Sequence, residues 1–253
     1  MSSPMDIVGI PASAIAMFAH PDDPDFTCGG TIARWTAAGS RVTYVIMTDG
    51  RSGAAGLSAE ESASISPTEL VAMRQAEQRA AAAELGVEDV VFYDYLDGEL
   101  MHTVELRRQL VREIRIRQPD AALLFDPQRR VMPGHVQHPD HWTSGEAALA
   151  AIYPLSGTRR AFPELLDEGL EPHFVRDVYL VSGVQPNLRI DISDTMERKV
   201  AAMQHHYSQV ADAGRTAGFM RERAAATAAG TAFAYAEAFQ FLRMGERDLV
   251  LEY

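Results

Sequence analysis

The sequence of 253 residues is poor in cysteine and in basic residues. A single cysteine, Cys28, excludes an intrachain disulfide. Neither a stretch of eighteen apolar residues nor a signal peptide is found, so the sequence predicts a cytoplasmic protein without a membrane span. The 23 basic and 35 acidic residues give a formal net charge of -12, which repels phosphate backbones and argues against a nucleic-acid partner. The expected partner is therefore a small molecule.

Short β-branched runs alternate with stretches rich in Ala, Glu and Arg along most of the chain. This alternation predicts a Rossmann-like α/β fold, with a mostly parallel sheet covered by helices on both faces. We expect a single domain over residues 1–253, with an N-terminal arm over 1–12 and a helical C-terminal tail over 207–253 packed on it. The aromatic residues of that tail are typical of a core or of a subunit contact, so the sequence is compatible with a homo-oligomer.

The hydrophobic pattern and the Gly and Pro positions predict the individual elements. The expected strands are residues 14–18, 41–48, 90–93, 121–125, 171–181 and 188–192. The expected helices are residues 30–38, 69–85, 104–117 and 143–152, and a further helix that runs to about residue 206 with Ser193 or Asp194 as its N-cap. Residues 53–67 are rich in Ser, Ala and Gly and form either a mobile flap or a plain surface loop.

The first expected strand is followed by the sequence Ala-His-Pro-Asp-Asp over residues 19–23. Ligands of open α/β sheets bind at the carboxyl ends of the strands, where these side chains would lie. With His141, the residues His20 and Asp23 make a set of two imidazoles and one carboxylate, which leaves a fourth position for water as in a catalytic zinc site. Asp22 lies beside these ligands and is free to act as a general base.

A second polar cluster, His138-Pro-Asp-His141, follows the fourth expected strand. Two loops at the same edge of a parallel sheet can converge on one metal although about 120 residues separate them. Asp140 is either a carboxylate hydrogen-bonded to a histidine or a cap of the following helix. His205 and His206, near the end of a late helix, suggest either charge stabilisation of the helix end or a place on the substrate rim, of which the first is simpler.

These two motifs resemble the PIG-L/LmbE-like family of metal-dependent N-deacetylases. The family pattern is Ala-His-Pro-Asp-Asp with a following Gly pair, then a later His-Pro-Asp-His, and both are present in that order. Arg74 and Glu77 look like its Arg-x-x-Glu helix, and Asp126-Pro127 matches its strand-end Asp-Pro. The similarity covers residues 14–150. Family members cleave acetyl groups from molecules that contain N-acetylglucosamine.

The resemblance implies a role for each matching residue. It implies the metal ligands His20, Asp23 and His141, the general base Asp22, the oxyanion-stabilising His138, and the substrate contacts Arg74 and Asp97. Two positions depart from the family pattern. The usual Glu after the paired acids is Pro24, with Asp25 next, so the hydrogen bonds of that Glu are absent or rerouted. Trp142 stands where a basic or small residue is common, and either narrows the pocket or packs outside it.

We therefore predict a zinc-dependent hydrolase that removes an N-acetyl or another small acyl group from an amino-sugar-containing small molecule by attack of metal-bound hydroxide. Histidine and carboxylate ligands also suit Fe²⁺ and other divalent transition metals. One alternative is an amidase of the same fold that cuts a larger acyl group. The other is a non-catalytic sugar- or nucleotide-binding α/β protein, although no Gly-x-Gly-x-x-Gly pattern follows the first strand.

Overall fold

The computed structural model describes residues 9–132 and 134–244, so most of the predicted N-terminal arm and the last nine residues of the predicted tail lie outside it. Nine strands are described: β1 Ser13–Phe18, β2 Arg41–Thr48, β3 Asp89–Tyr95, β4 Ala121–Phe125, β5 Val131–Met132, β6 His135–Val136, β7 Asp177–Val181, β8 Leu188–Asp191 and β9 Ala236–Arg243. The α-helices of the described part are α1 Asp23–Ala37, α2 Ala59–Ser64, α3 Pro67–Glu84, α4 Val104–Arg117, α5 Pro139–Ala150, α6 Glu164–Asp167, α7 Met196–Gln204 and α8 Ala213–Ala228. A π-helical turn, Ala151–Leu155, continues α5.

Seven strands form one sheet in the order β3-β2-β1-β4-β7-β9-β8. The first five of these run parallel, whereas β9 is antiparallel to both of its neighbours. This arrangement confirms the predicted α/β class with a mostly parallel sheet. Strands β5 and β6 form a separate antiparallel pair just before α5.

Two apolar layers cover the sheet, one on each face. Strand β1 is buried along its whole length, and its alternate side chains enter different layers. Ala16 and Phe18 belong to the first layer, and Ile15 and Met17 belong to the second. The first layer is closed by α1, α3 and α7, and the second by α4 and α5. Helix α8 packs over α7 in a third, smaller cluster. Among the described residues, every helix is too short or too polar to cross a bilayer.

The C-terminal tail differs from its predicted helical structure. Its first part forms α8, but residues 236–243 form β9, which inserts between β7 and β8. Phe239 and Phe241 stand two residues apart, and both rings pack against Tyr179 of β7. This spacing of two is the strand period, and the high alanine content of the preceding residues concealed it.

Several predicted boundaries are also wrong, and proline explains two of them. Helix α1 begins at Asp23 instead of residue 30, and α5 at Pro139 instead of residue 143. Each has a proline in its first helical turn, where the missing N–H costs no hydrogen bond. The strand predicted over 171–181 is confined to β7, and the loop predicted over 53–67 contains the short helix α2.

Gly145 allows α5 to lie directly on the end of β4. A Cβ atom at this position would lie 2.3 Å from the backbone oxygen of Phe125, which has no side-chain freedom to move away. We expect Gly145→Ala to lower the free energy of unfolding by about 1–3 kcal/mol, because overpacking forces backbone shifts. Gly218→Ala in α8 is the matched control: no atom lies within 4 Å of its added Cβ, and the better helix former should raise stability by about 0.5–1 kcal/mol. Equal effects of both variants in chemical denaturation would contradict this prediction.

Candidate active site

The candidate site lies at the carboxyl ends of β1 and β4, the central strands of the parallel sheet. The turn after β1 places Asp22 at the N-cap of α1 with a φ of 96°, in the left-handed region that non-glycine residues rarely adopt. Its backbone oxygen accepts hydrogen bonds from the N–H groups of Asp25 and Phe26. Its carboxylate makes no capping hydrogen bond. The carboxylate is therefore not used to begin the helix.

The second motif forms the first turn of α5. The backbone N–H of Asp140 donates to His138 Nδ1 over 3.2 Å, so that this imidazole caps the helix. The backbone N–H of His141 donates to the oxygen of His138. The ring of His141 stacks on Phe125, the last residue of β4, at a centroid distance of 4.1 Å and an angle of 11°. Capping and stacking fix both imidazoles before any ligand binds.

Asp23 joins the two motifs. Its Oδ2 lies 3.3 Å from His20 Nδ1, and its Oδ1 lies 3.2 Å from His141 Nε2. Two ligand atoms bound to one tetrahedral zinc are separated by about 3.4 Å. Burial by itself would raise the pKa of Asp23, but the facing imidazoles of His141 and His20 hold that pKa well below its ordinary value. The carboxylate is thus ionised, as a metal ligand must be, and it lies in contact with both of the predicted histidine ligands.

The three imidazoles form an overlapping second set. Ring nitrogens of His20, His138 and His141 lie within 4.8 Å of one another, and a further group joins His20 and His138 to Asp97 and Asp140. Neither of these two groups of the described residues contains Asp23. His138 is the most exposed of the three, with 40% of its side chain accessible. The structure therefore brings together every metal ligand predicted from the sequence, and it places His138 beside them.

The second ring nitrogen of His20 faces two more carboxylates. His20 Nε2 lies 3.2 Å from Asp140 Oδ2 and 3.1 Å from Asp97 Oδ1. Burial lowers the pKa of His20, but its hydrogen bonds with Asp140, Asp23 and Asp97 outweigh burial and the net shift is upward. Metal-binding histidines commonly donate their second N–H to a carboxylate, which fixes the ring. Of the two roles considered for Asp140, the structure supports the carboxylate that bonds a histidine.

Asp22 lies next to this cluster, with 21% of its side chain exposed. Arg74 Nη2 donates to its Oδ2 over 3.1 Å. Burial raises the pKa of Asp22 to about 6, against the opposing effect of the Arg74 guanidinium. A general base works best when its pKa lies near the working pH, so this environment suits proton transfer.

Arg74 and Asp97, the predicted substrate contacts, both reach the site but are nearly inaccessible. Only 4% of the Arg74 side chain is exposed, and its other hydrogen bonds go to the backbone oxygens of Gly50 and Pro21. Asp97 is 5% exposed and accepts from the backbone N–H of Ser52. These bonds hold the loops around the cluster in place. Direct contact of either residue with a substrate stays a prediction.

Two positions depart from the family pattern, and the structure places one in the buried interior and the other at a half-buried position. Pro24 occupies the first turn of α1, and the next residue, Asp25, is fully buried and accepts three hydrogen bonds from side chains. Trp142 is half-buried, and the guanidinium of Arg129 lies 5.1 Å from the centroid of its ring.

The segment after β2, predicted as a flap or surface loop, is anchored at its start. Gln209 Nε2 donates to the oxygen of Gly53, and the N–H of Gly56 donates to the oxygen of Ser208. The side chain and N–H of Ser208 in turn bond the carboxylate of Glu77 in α3. This segment is therefore tied to α3 through residues that follow α7.

The sequence does not indicate the observed roles of two residues near the site, Gln78 and His206. Gln78 is fully buried, and its Oε1 accepts from the backbone N–H of Asp22 over 2.7 Å. His206 bonds Asp25 through Nε2 at 2.8 Å and is 1% exposed. It therefore does not stabilise a solvent-facing helix end, which is the simpler of the two roles expected from the sequence. The available signal was the helical spacing: Gln78 follows Arg74 by four residues and therefore shares its face of α3.

Comparison with known proteins gives consistent matches. The family model described as PIG-L: GlcNAc-PI de-N-acetylase matches residues 15–152. The diacetylchitobiose deacetylase of Thermococcus kodakarensis is 35% identical over 190 residues, 75% of this chain and 67% of that protein. A probable N-acetyl-alpha-D-glucosaminyl L-malate deacetylase of Bacillus anthracis is 27% identical over 209 residues, which cover 78% of this chain and 81% of that protein.

A solved structure has the same fold as this chain. The N,N'-diacetylchitobiose deacetylase of Pyrococcus horikoshii, in complex with its inhibitor MPG, superimposes with a TM-score of 0.82 and 32% sequence identity. The match covers 92% of this chain and 84% of that one. The sequence comparison and the structural comparison therefore relate this chain to the same group of proteins.

Proposed function

Because the chain belongs to the PIG-L family of GlcNAc-PI de-N-acetylases, we propose that it is a metal-dependent hydrolase that removes an N-acetyl group from a small molecule containing an amino sugar. The observation that carries this proposal is the position of Asp23, whose two carboxylate oxygens face His20 and His141 at 3.3 and 3.2 Å. Amino-sugar deacetylases are also its named relatives. The substrate is therefore expected to carry an acetamido sugar.

His20, Asp23 and His141 would hold the cation, for which zinc is our first choice and ferrous iron the main alternative. When bound, such a cation polarises an amide carbonyl and acidifies a water. The carboxylates of Asp22, Asp97 and Asp140 add negative charge around His20 and further favour a cation at this position.

Asp22 moves the proton in this proposal. Its carboxylate takes a proton from the attacking water and later returns it to the nitrogen of the leaving amine. Arg74 holds the carboxylate from one side over 3.1 Å, so the accepting oxygen stays oriented. The pKa of about 6 keeps this group ionised near neutral pH, and it remains basic enough to accept the proton.

His138 stabilises the negative charge that develops on the amide oxygen. Since Nδ1 accepts the N–H of Asp140, the proton of the neutral ring lies on Nε2, which is then a donor. Burial and the neighbouring His20 lower the pKa of His138, so the neutral form dominates near pH 7. An oriented donor of this kind acts most strongly where charge appears in the transition state. Arg74 and Asp97 hold the surrounding loops in place, and their direct contact with the substrate stays a prediction.

The test is a panel of N-acylated amino sugars incubated with metal-loaded protein. We expect N,N'-diacetylchitobiose and related acetamido sugars to yield equal amounts of free amine and acetate. N-butyryl analogues of the same sugars are the control, and faster release of butyrate would favour the amidase that cuts a larger acyl group. Tight sugar binding without amine formation under zinc or ferrous iron would contradict hydrolysis and favour a binding protein.

A further inference from the structure

A fully buried polar network lies behind the candidate base. At its centre is Asp25, whose Oδ2 accepts from Gln78 Nε2 over 2.7 Å and lies 2.8 Å from His206 Nε2. Its Oδ1 accepts from the hydroxyl of Tyr44 over 3.1 Å. All four side chains are buried, with at most 1% of any of these residues exposed. None of them belongs to the metal ligands or to the proposed acid and base groups.

Gln78 connects this network to Asp22. Its Nε2 donates to Asp25, and its Oε1 accepts from the backbone N–H of Asp22 over 2.7 Å. The two ends of the amide cannot be exchanged, because a flipped amide would set NH₂ against N–H and oxygen against a carboxylate. Asp25 therefore fixes the orientation of Gln78, which presents an acceptor to Asp22.

Asp22 needs such support because of its backbone. Its φ of 96° lies in a region that L-residues adopt only when the surrounding structure enforces it. Arg74 holds the carboxylate and Gln78 holds the N–H, so the residue is fixed at two points from one face of α3. Without an acceptor, this N–H would be left without a partner and the turn could relax.

We propose that Gln78, held in place by Asp25 and His206, is a positioning residue that sets the backbone of Asp22 for proton transfer. The inference rests on the proposed function, in which Asp22 is the base. Gln78 touches neither substrate nor metal in this scheme. Its loss should therefore lower kcat and leave substrate binding and metal content unchanged.

The first experiment removes both hydrogen bonds with Gln78→Met, a side chain of similar length. We expect kcat to fall about 10- to 100-fold with KM within about twofold, since small displacements of a reacting group are costly. Gln75→Met on the same helix is the matched control and should leave kcat unchanged. Unchanged kcat in Gln78→Met with full metal content would overturn the inference.

A double-mutant cycle with Asp22→Asn separates positioning from a general structural effect. If Gln78 acts through Asp22, adding Gln78→Met to Asp22→Asn should cause no further loss of kcat. Additive losses overturn this inference and leave the proposed function intact. Full turnover in Asp22→Asn alone overturns the base assignment instead, whatever Gln78→Met does. Should Gln78→Met fail to fold, Tyr44→Phe and His206→Leu take its place, and unchanged kcat in both counts against the inference.

Discussion

Asp22→Asn is expected to lower kcat by about 100- to 10,000-fold while the protein keeps its full metal content. The amide has nearly the same shape as the carboxylate, and its oxygen can still accept from Arg74. It cannot take a proton from water near neutral pH, however, so the chemical step loses its base. The measurement is single-turnover amine release beside elemental analysis of the same sample.

The control for this experiment is Asp194→Asn, which removes one negative charge from an exposed residue outside the site. It should have wild-type turnover. If Asp22→Asn keeps most of its turnover, another group takes the proton and the assignment of the base is wrong. If it loses metal as well as turnover, Asp22 belongs to the ligand set instead.

His141→Ala is expected to abolish metal binding and, with it, activity. The substitution removes one nitrogen that faces Asp23 and also the ring that stacks on Phe125. His138→Ala should behave differently: it should keep the metal and lose about 100- to 1,000-fold in kcat, the usual cost of an oxyanion donor. Elemental analysis after dialysis distinguishes the two variants.

His138→Ala and Asp23→Asn together decide between the two overlapping ligand sets, because His20 and His141 belong to both. If His138→Ala loses the metal and Asp23→Asn retains it, the three imidazoles are the ligands and Asp23 only orients them. His205→Ala removes an exposed imidazole outside the site and is the matched control for non-specific histidine effects. It should keep both metal and turnover.

The sequence was sufficient for the class of fold and for the residues that meet at the site. His20 and His141 are 121 positions apart, yet both follow apolar runs that could be recognised as parallel strands, so their convergence was predictable. The helix starts were less predictable, because Asp23 and His141 are ligand candidates and first-turn residues at the same time. In both motifs, the first turn of the helix contains a proline that the sequence pattern assigns to a loop.

The supporting residues could not be predicted in the same way. Gln78 and His206 acquire their roles from contacts with Asp22 and Asp25 across 56 and 181 positions. Buried hydrogen bonds of this kind leave no local pattern, because a glutamine in a helix or a histidine at its end is unremarkable by itself. The near-complete burial of the Arg74 side chain could not be predicted from the sequence either. A charged residue is almost never fully buried unless it is paired, and its partners Gly50, Pro21 and Asp22 are distant in the sequence.

The insertion of β9 between β7 and β8 has a consequence for the order in which the protein folds. In the described sheet β8 pairs only with β9, so it cannot join the sheet until residues 236–243 have left the ribosome. Until then Lys199 of α7 lacks Glu237, the partner that lies 2.6 Å from its Nζ in the finished protein. The five parallel strands, which carry the site, can pair earlier on a nascent chain. Strand β7 is then an unpaired edge strand, which favours aggregation.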